Sequence, residues 1–182
     1  GQSMGLVLIP AGSDPQGRYD ITSDFYLMTT EVTQAMWTDV MDGSGYGHIP
    51  RFRYYGTGSL YPAYDVSWYD AIAFANRLSV LTGREECYGN NDGPNVDFNQ
   101  QYDPDDLDAF FTTPYDCNGF RLLTQAEWEY AARSGTTSEF WTGQGSQLGG
   151  TYSSNTTNGT ENIVDGVSNP LLRDYAWYCG NS

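Results

Sequence analysis

Thr33, Ser67 and Thr124 each stand just before a stretch whose apolar residues recur on a helical period, and little between these stretches is periodic. A hydroxyl at such a position accepts a hydrogen bond from an otherwise unpaired first-turn N–H, so each site is a helix start. From Thr33, the residues Trp37, Val40 and Met41 fall on one face, which predicts a helix ending at Met41. Ser67-Trp-Tyr-Asp70 reads as a capping box with Asp in place of Glu. Ala71, Phe74, Ala75 and Leu78 extend it as an apolar stripe to about Gly83. Thr124-Gln-Ala-Glu127 is the standard box, with Trp128, Ala131 and Ala132 on one face and Gly135 where a C-cap belongs. Leu6 to Ile9 and Asp24 to Thr30 read as strands. The segment from Asp42 to Tyr64 is too long and too aromatic for a simple connector, and 136–170 is rich in Gly, Ser, Thr and Asn. Short elements separated by long irregular stretches predict a loop-rich α+β domain with two or three helices.

Composition removes several functions. The 182 residues carry 8 basic and 23 acidic side chains, a formal charge of −15. Every basic residue is Arg, and sixteen of the acids are Asp. Nucleic acids and anionic membranes are bound mainly through an excess of Lys and Arg, so neither suits this chain as a partner. No apolar run approaches the roughly 18 residues of a membrane span. Hydrophobic residues at 39% and aromatic residues at 15% are enough for a packed core.

The three cysteines are Cys87, Cys117 and Cys179. The first two bracket a stretch rich in Asn, Asp and Gly that a covalent staple would stabilise. A Cys87–Cys117 disulfide and an extracellular, periplasmic or cell-surface location is the preferred reading; three buried thiols in a reduced compartment is the other. Cys179 is then a free thiol or pairs outside this chain.

Three blocks in order carry a resemblance: Asp24-Phe-Tyr-Leu-Met-Thr-Thr-Glu-Val-Thr33, Tyr64-Asp-Val-Ser-Trp-Tyr-Asp-Ala71, and Gly119-Phe-Arg-Leu-Leu-Thr-Gln-Ala-Glu-Trp-Glu-Tyr-Ala-Ala-Arg133. Together with Ile9-Pro-Ala-Gly12 and Ala176-Trp-Tyr-Cys-Gly-Asn-Ser182, this pattern resembles the formylglycine-generating enzyme (sulfatase-modifying factor) domain family. Glu86-Cys-Tyr88 and Cys117-Asn-Gly-Phe120 look like an exported bacterial branch in which these cysteines bracket an insert. The resemblance implies a C-type-lectin-like fold, with helices around a small twisted sheet. It also implies one domain over 1–182 whose C-terminal part lies outside this chain.

Family enzymes use two cysteines near the C-terminus to hold Cu(I), a soft ion that suits thiolates. No cysteine here matches that pair, so copper is expected only if a further C-terminal segment supplies it. Another branch uses a three-His iron site; His48 is the chain's one histidine, and it reads as a solvated loop side chain. Structural Ca²⁺ in the family starts from a motif matching Asn181 and Ser182, which supply only part of the six to eight oxygens the ion needs. Asp97 and the cluster from Asp103 to Asp108 lack EF-hand spacing and read as a solvated acidic loop. Arg121, Glu127, Trp128, Glu129 and Arg133 resemble scaffold positions that cap, pack and pair. Arg51, Arg53, Tyr54 and Tyr55 form either a recognition loop or a packed one, since Tyr and Arg are favoured at binding surfaces. Asn155 and Asn158 begin glycosylation-type patterns.

The expected function is an exported, non-catalytic module of this family that binds a protein or small ligand. Two other readings stand beside it: a copper-dependent oxidase acting on a sulfatase cysteine, and a structural subunit of a surface assembly. Self-assembly or a complementing C-terminal segment are the corresponding partners.

Overall fold

The structure, a computed structural model, describes residues 4–43, 50, 52–53, 56–89, 108–109 and 115–137. The chain forms two compact units, one of Gly1–Ala11 and Thr22–Thr124, the other of Gly12–Ile21 and Gln125–Ser182.

In the first unit, β1 (Leu6–Ile9) pairs antiparallel with β4 (Phe25–Met28), placing Leu6 opposite Met28 and Ile9 opposite Phe25. Helix α1 runs Gln34–Met41, and the Thr33 side chain accepts from the Met36 N–H at 3.2 Å. Helix α2 runs Trp68–Leu81 behind a closed capping box: Asp70 N–H donates to Ser67 Oγ, and Asp70 Oδ2 accepts from the Ser67 N–H at 2.7 Å. Gly83, at φ 71°, ends it in the left-handed region that a Cβ disfavours. The two helices pack through Trp37 and Val40 against Phe74 and Leu78; the Trp37 and Phe74 rings stack at 5.2 Å. Burying these four side chains contributes on the order of 1.5–3 kcal/mol each, before the entropy of ordering them.

The stretch after α1 is tied down by a residue that no periodicity marks. Gln34 is buried, donates from Nε2 to the carbonyls of Gly56 and Pro62, and accepts at Oε1 from the Gly58 N–H. Its own N–H donates to Tyr61 O, next to an isolated bridge between Thr33 and Pro62. Short strands β5 (Tyr88–Gly89) and β6 (Asp108–Ala109) also pair in this unit.

The second unit contains the hairpin β2 (Gly12–Ser13) and β3 (Asp20–Ile21), and α3 (Gln125–Arg133). Helix α3 starts directly after Thr124, and Ser134 and Gly135 follow its end at φ 47° and 79°. Its buried side differs from the expected one. Trp128 is 60% exposed and Ala132 is exposed, whereas Glu127 is fully buried. Polar residues of the helix meet the hairpin: Glu129, paired within the helix to Arg133, approaches Arg18, and the Tyr130 hydroxyl occupies the space beside Gly12. Trp128 lies one residue, about 100° of helix turn, from Glu127 and so faces away. The fold class is α+β and loop-rich, and the described strands form three separate two-stranded pairs rather than one sheet.

Candidate functional site

The C-terminal half of α2 builds a clamp around a disulfide. Asn76 and Ser79 lie three residues apart on one helix face, and both are buried. Asn76 Nδ2 donates to Tyr88 O at 2.7 Å, and its Oδ1 accepts from the N–H groups of Cys87 and Tyr88. Ser79 Oγ accepts from the Phe120 N–H at 2.7 Å and donates back to Ala75 O. The Tyr88 hydroxyl accepts from the Leu122 N–H at 2.8 Å. These bonds hold 87–88 and 117–122 side by side, where Cys87 and Cys117 are joined with Cα atoms 5.7 Å apart. The disulfide expected from the sequence is therefore formed. Gly119 passes so close to Glu85 O that a Cβ would collide with that backbone oxygen, besides crowding Ser79 Oγ and Cys87 Sγ. Burial pushes the neighbouring Glu86 carboxyl above its usual range.

Two concavities flank the Phe120–Leu123 segment, both within the first unit. One, of about 310 Å³, is apolar and is lined by Met28, Val32, Trp37, Phe74 and Leu78 among others. The other, of about 520 Å³, is mixed: Phe25, Tyr26 and Phe120 meet Arg84, Asp116 and Asn118. Leu6, Tyr26, Phe120, Arg121 and Leu123 line both. Arg84 Nη1 donates to the carbonyl and Oδ1 of Asn118, both at 3.0 Å, and its guanidinium lies 5.7 Å from the Phe120 ring centre. Arg121 lies equally far from the Tyr115 ring and donates to Leu122 O.

A family model described as the sulfatase-modifying factor enzyme 1-like domain matches residues 2–171. The chain belongs to this family. Among its relatives, the chaperone protein LppX of Paenibacillus barcinonensis is 36% identical over 124 residues, 68% of this chain and 41% of LppX. The crystal structure of CarF superposes with a TM-score of 0.59 at 23% identity, over 73% of this chain and 57% of CarF. Treponema denticola variable protein 1 gives a TM-score of 0.54 at 33% identity, over 74% and 54% of the respective chains. The chain thus spans about half or less of the length of these relatives.

Against this family background, the residues singled out from the sequence fall in different places. Cys87 and Cys117 sit at the centre of the clamp. Phe52, inside the Tyr/Arg stretch, packs on the Trp37 and Phe74 cluster and lies edge-on to Tyr64 at 5.6 Å, while Arg53 is exposed. Arg51, Tyr54, Tyr55, His48, Asp97, Asn155, Asn158, Cys179, Asn181 and Ser182 lie outside the described residues. Of the acidic cluster, only Asp108 is described, as backbone of β6 opposite Gly89. Asn76, Ser79, Arg84 and Gly119 were not singled out. The first two carried one signal, a pair of polar residues at i and i+3 beside the apolar stripe of α2.

Proposed function

We propose that this chain is part of an exported, non-catalytic binding module of the sulfatase-modifying-factor-like family, and that its apolar cavity receives an extended apolar segment of another protein. The observation carrying this reading is the cavity itself: an apolar concavity whose lining includes the exposed strand residues Leu6 and Tyr26. Exposed contiguous apolar surface marks sites of protein interaction. The chaperone designation of LppX points to the same class of partner. Export is supported by the disulfide, which persists in oxidising compartments. That bond also commits two of the three cysteines to scaffold, leaving them unavailable as thiolate ligands for Cu(I).

The test is titration of the chain with a permanently unfolded, carboxymethylated polypeptide, followed by Trp fluorescence, because Trp37 lines the cavity. Binding is expected, and Met28→Gln and Leu6→Gln should each weaken it about tenfold while circular dichroism stays unchanged. Binding that both variants retain in full, or no binding by the parent, overturns the assignment. Oxygen consumption by the chain with Cu(I) and a cysteine peptide would restore the oxidase reading.

A further inference from the structure

In a chain with 23 acids and 8 arginines, Arg84 makes no bond to a carboxylate among the described residues. Among the described residues its only bonds run from Nη1 to Asn118, and its face rests on Phe120. Its Nε and Nη2 meet no acceptor among the described residues. Asn118 gives up Oδ1 to this contact, and among the described residues its Nδ2 donates to no acceptor. Asn118 is itself fixed: it follows Cys117 of the disulfide and precedes Gly119, the residue wedged against Glu85 O. Both side chains are exposed, but the two bonds from Nη1 and the contact with the Phe120 face bias the guanidinium toward one orientation, which lowers the entropic cost of binding.

We propose that the mixed cleft is a receptor for a single carboxylate carried on an apolar or aromatic group, such as the C-terminus of a peptide ending in an aromatic residue. The planar Nε and Nη2 fork matches a carboxylate, while Asn118 occupies Nη1 on the other side of the guanidinium. The rest of the wall suits the attached group: Leu6, Phe25, Tyr26, Phe120 and Leu123 are apolar or aromatic. The other charges limit the ligand's own charge. Asp24 and Asp116 line the same cleft, so a phosphate dianion meets two carboxylates, whereas a monoanion is balanced by Arg84. Arg121 also lines the cleft, but it is engaged with Leu122 O and the Tyr115 ring. The two concavities share Leu6, Tyr26, Phe120 and Leu123, but Arg84 and Asn118 do not line the apolar cavity, so variants at these two residues test this site separately from protein-segment binding there.

The probes are N-acetylphenylalanine and its amide, titrated by NMR. The acid is expected to bind at least tenfold more tightly than the amide, and more weakly as salt is raised. Arg84→Gln should abolish the acid's preference, and Arg84→Lys should leave most of it lost, because an ammonium keeps the charge without the fork. Asn118→Ala frees the guanidinium from its support and should give an intermediate loss, with thermal melting reporting that the fold is kept. Equal binding of acid and amide, or an unchanged preference in Arg84→Gln, overturns the assignment. Inorganic phosphate binding more tightly than the acid overturns the monoanion argument.

Discussion

Asn76 and Asp14 are both almost fully buried polar side chains, one in each unit, and they are satisfied in opposite ways. Asn76 is neutral and bridges backbone groups of Cys87 and Tyr88 in the first unit. Asp14 is charged: it takes two bonds from the Arg18 guanidinium, at 2.7 and 2.9 Å, in the second unit. A buried amide costs little once its bonds are made, and it does not titrate. A buried carboxylate holds only while its proton is off and its cation is present. The first unit is thus organised by apolar packing, neutral bonds and a disulfide. The described part of the second rests on a chain of charges from Asp14 through Arg18 and Glu129 to Arg133. Steric and redox insults should separate from acid, each finding its own unit.

The largest effect is expected at Gly119. Adding one methyl there drives a Cβ into the backbone oxygen of Glu85, and backbone cannot step aside as a flexible side chain does. Gly119→Ala should therefore cost about 3 kcal/mol, the upper part of the range for overpacking. Urea denaturation checks this, and a loss below about 0.5 kcal/mol would mean that the clamp is soft. Reduction of Cys87–Cys117 comes next. The bond closes a loop of sequence separation 30, so removing it should lower stability by roughly 2–4 kcal/mol through the entropy returned to the unfolded chain. Melting curves that coincide with and without reductant would contradict that contribution.

Much of the first unit was legible because capping and periodicity are local. Thr33, Ser67 and Gly83 define helix ends within a few residues, and the faces of α1 and α2 follow from Trp37, Val40, Phe74 and Leu78. The hairpin of β2 and β3 was not legible, since two-residue strands carry no period, and its turn is set by the Gly17 N–H donating to Asp14 O. Trp128 misled because it shares a face with Ala131 and Ala132, whereas the side of α3 that is buried is that of Glu127, and contacts with distant segments such as Arg18 to Glu129 carry no period in the sequence. The clamp was half legible: Cys87 and Cys117 announce a staple. Asn76 and Ser79 became meaningful only once 117–122 was seen lying against α2. That Arg84 meets Asn118 rather than a carboxylate among the described residues has no local signature in the sequence.

The smallest and most selective effect is titration of Asp14. Hydrogen bonds from the Arg18 side chain, assisted by the backbone N–H groups of Arg18 and Gln16, hold its carboxyl at about 2, below the ordinary 3.8, although burial pulls the other way. A group whose folded pKa is depressed contributes stability that is complete above its unfolded pKa and is lost as pH falls through its folded pKa. Asp14 should therefore stabilise fully above pH 4 and progressively less between about 4 and 2. The difference in melting temperature between the parent and Asp14→Asn isolates this contribution, because the remaining carboxylates titrate in both. That difference should be constant from pH 7 to about 4 and shrink toward pH 2. Asn76→Ala, by contrast, should be destabilised by the same amount at every pH in this range, since nothing in its bonding titrates. A pH-independent difference for Asp14→Asn would mean that its carboxylate acts in the second unit as a neutral hydrogen-bond acceptor would, and the contrast between the two units would then reduce to the disulfide alone.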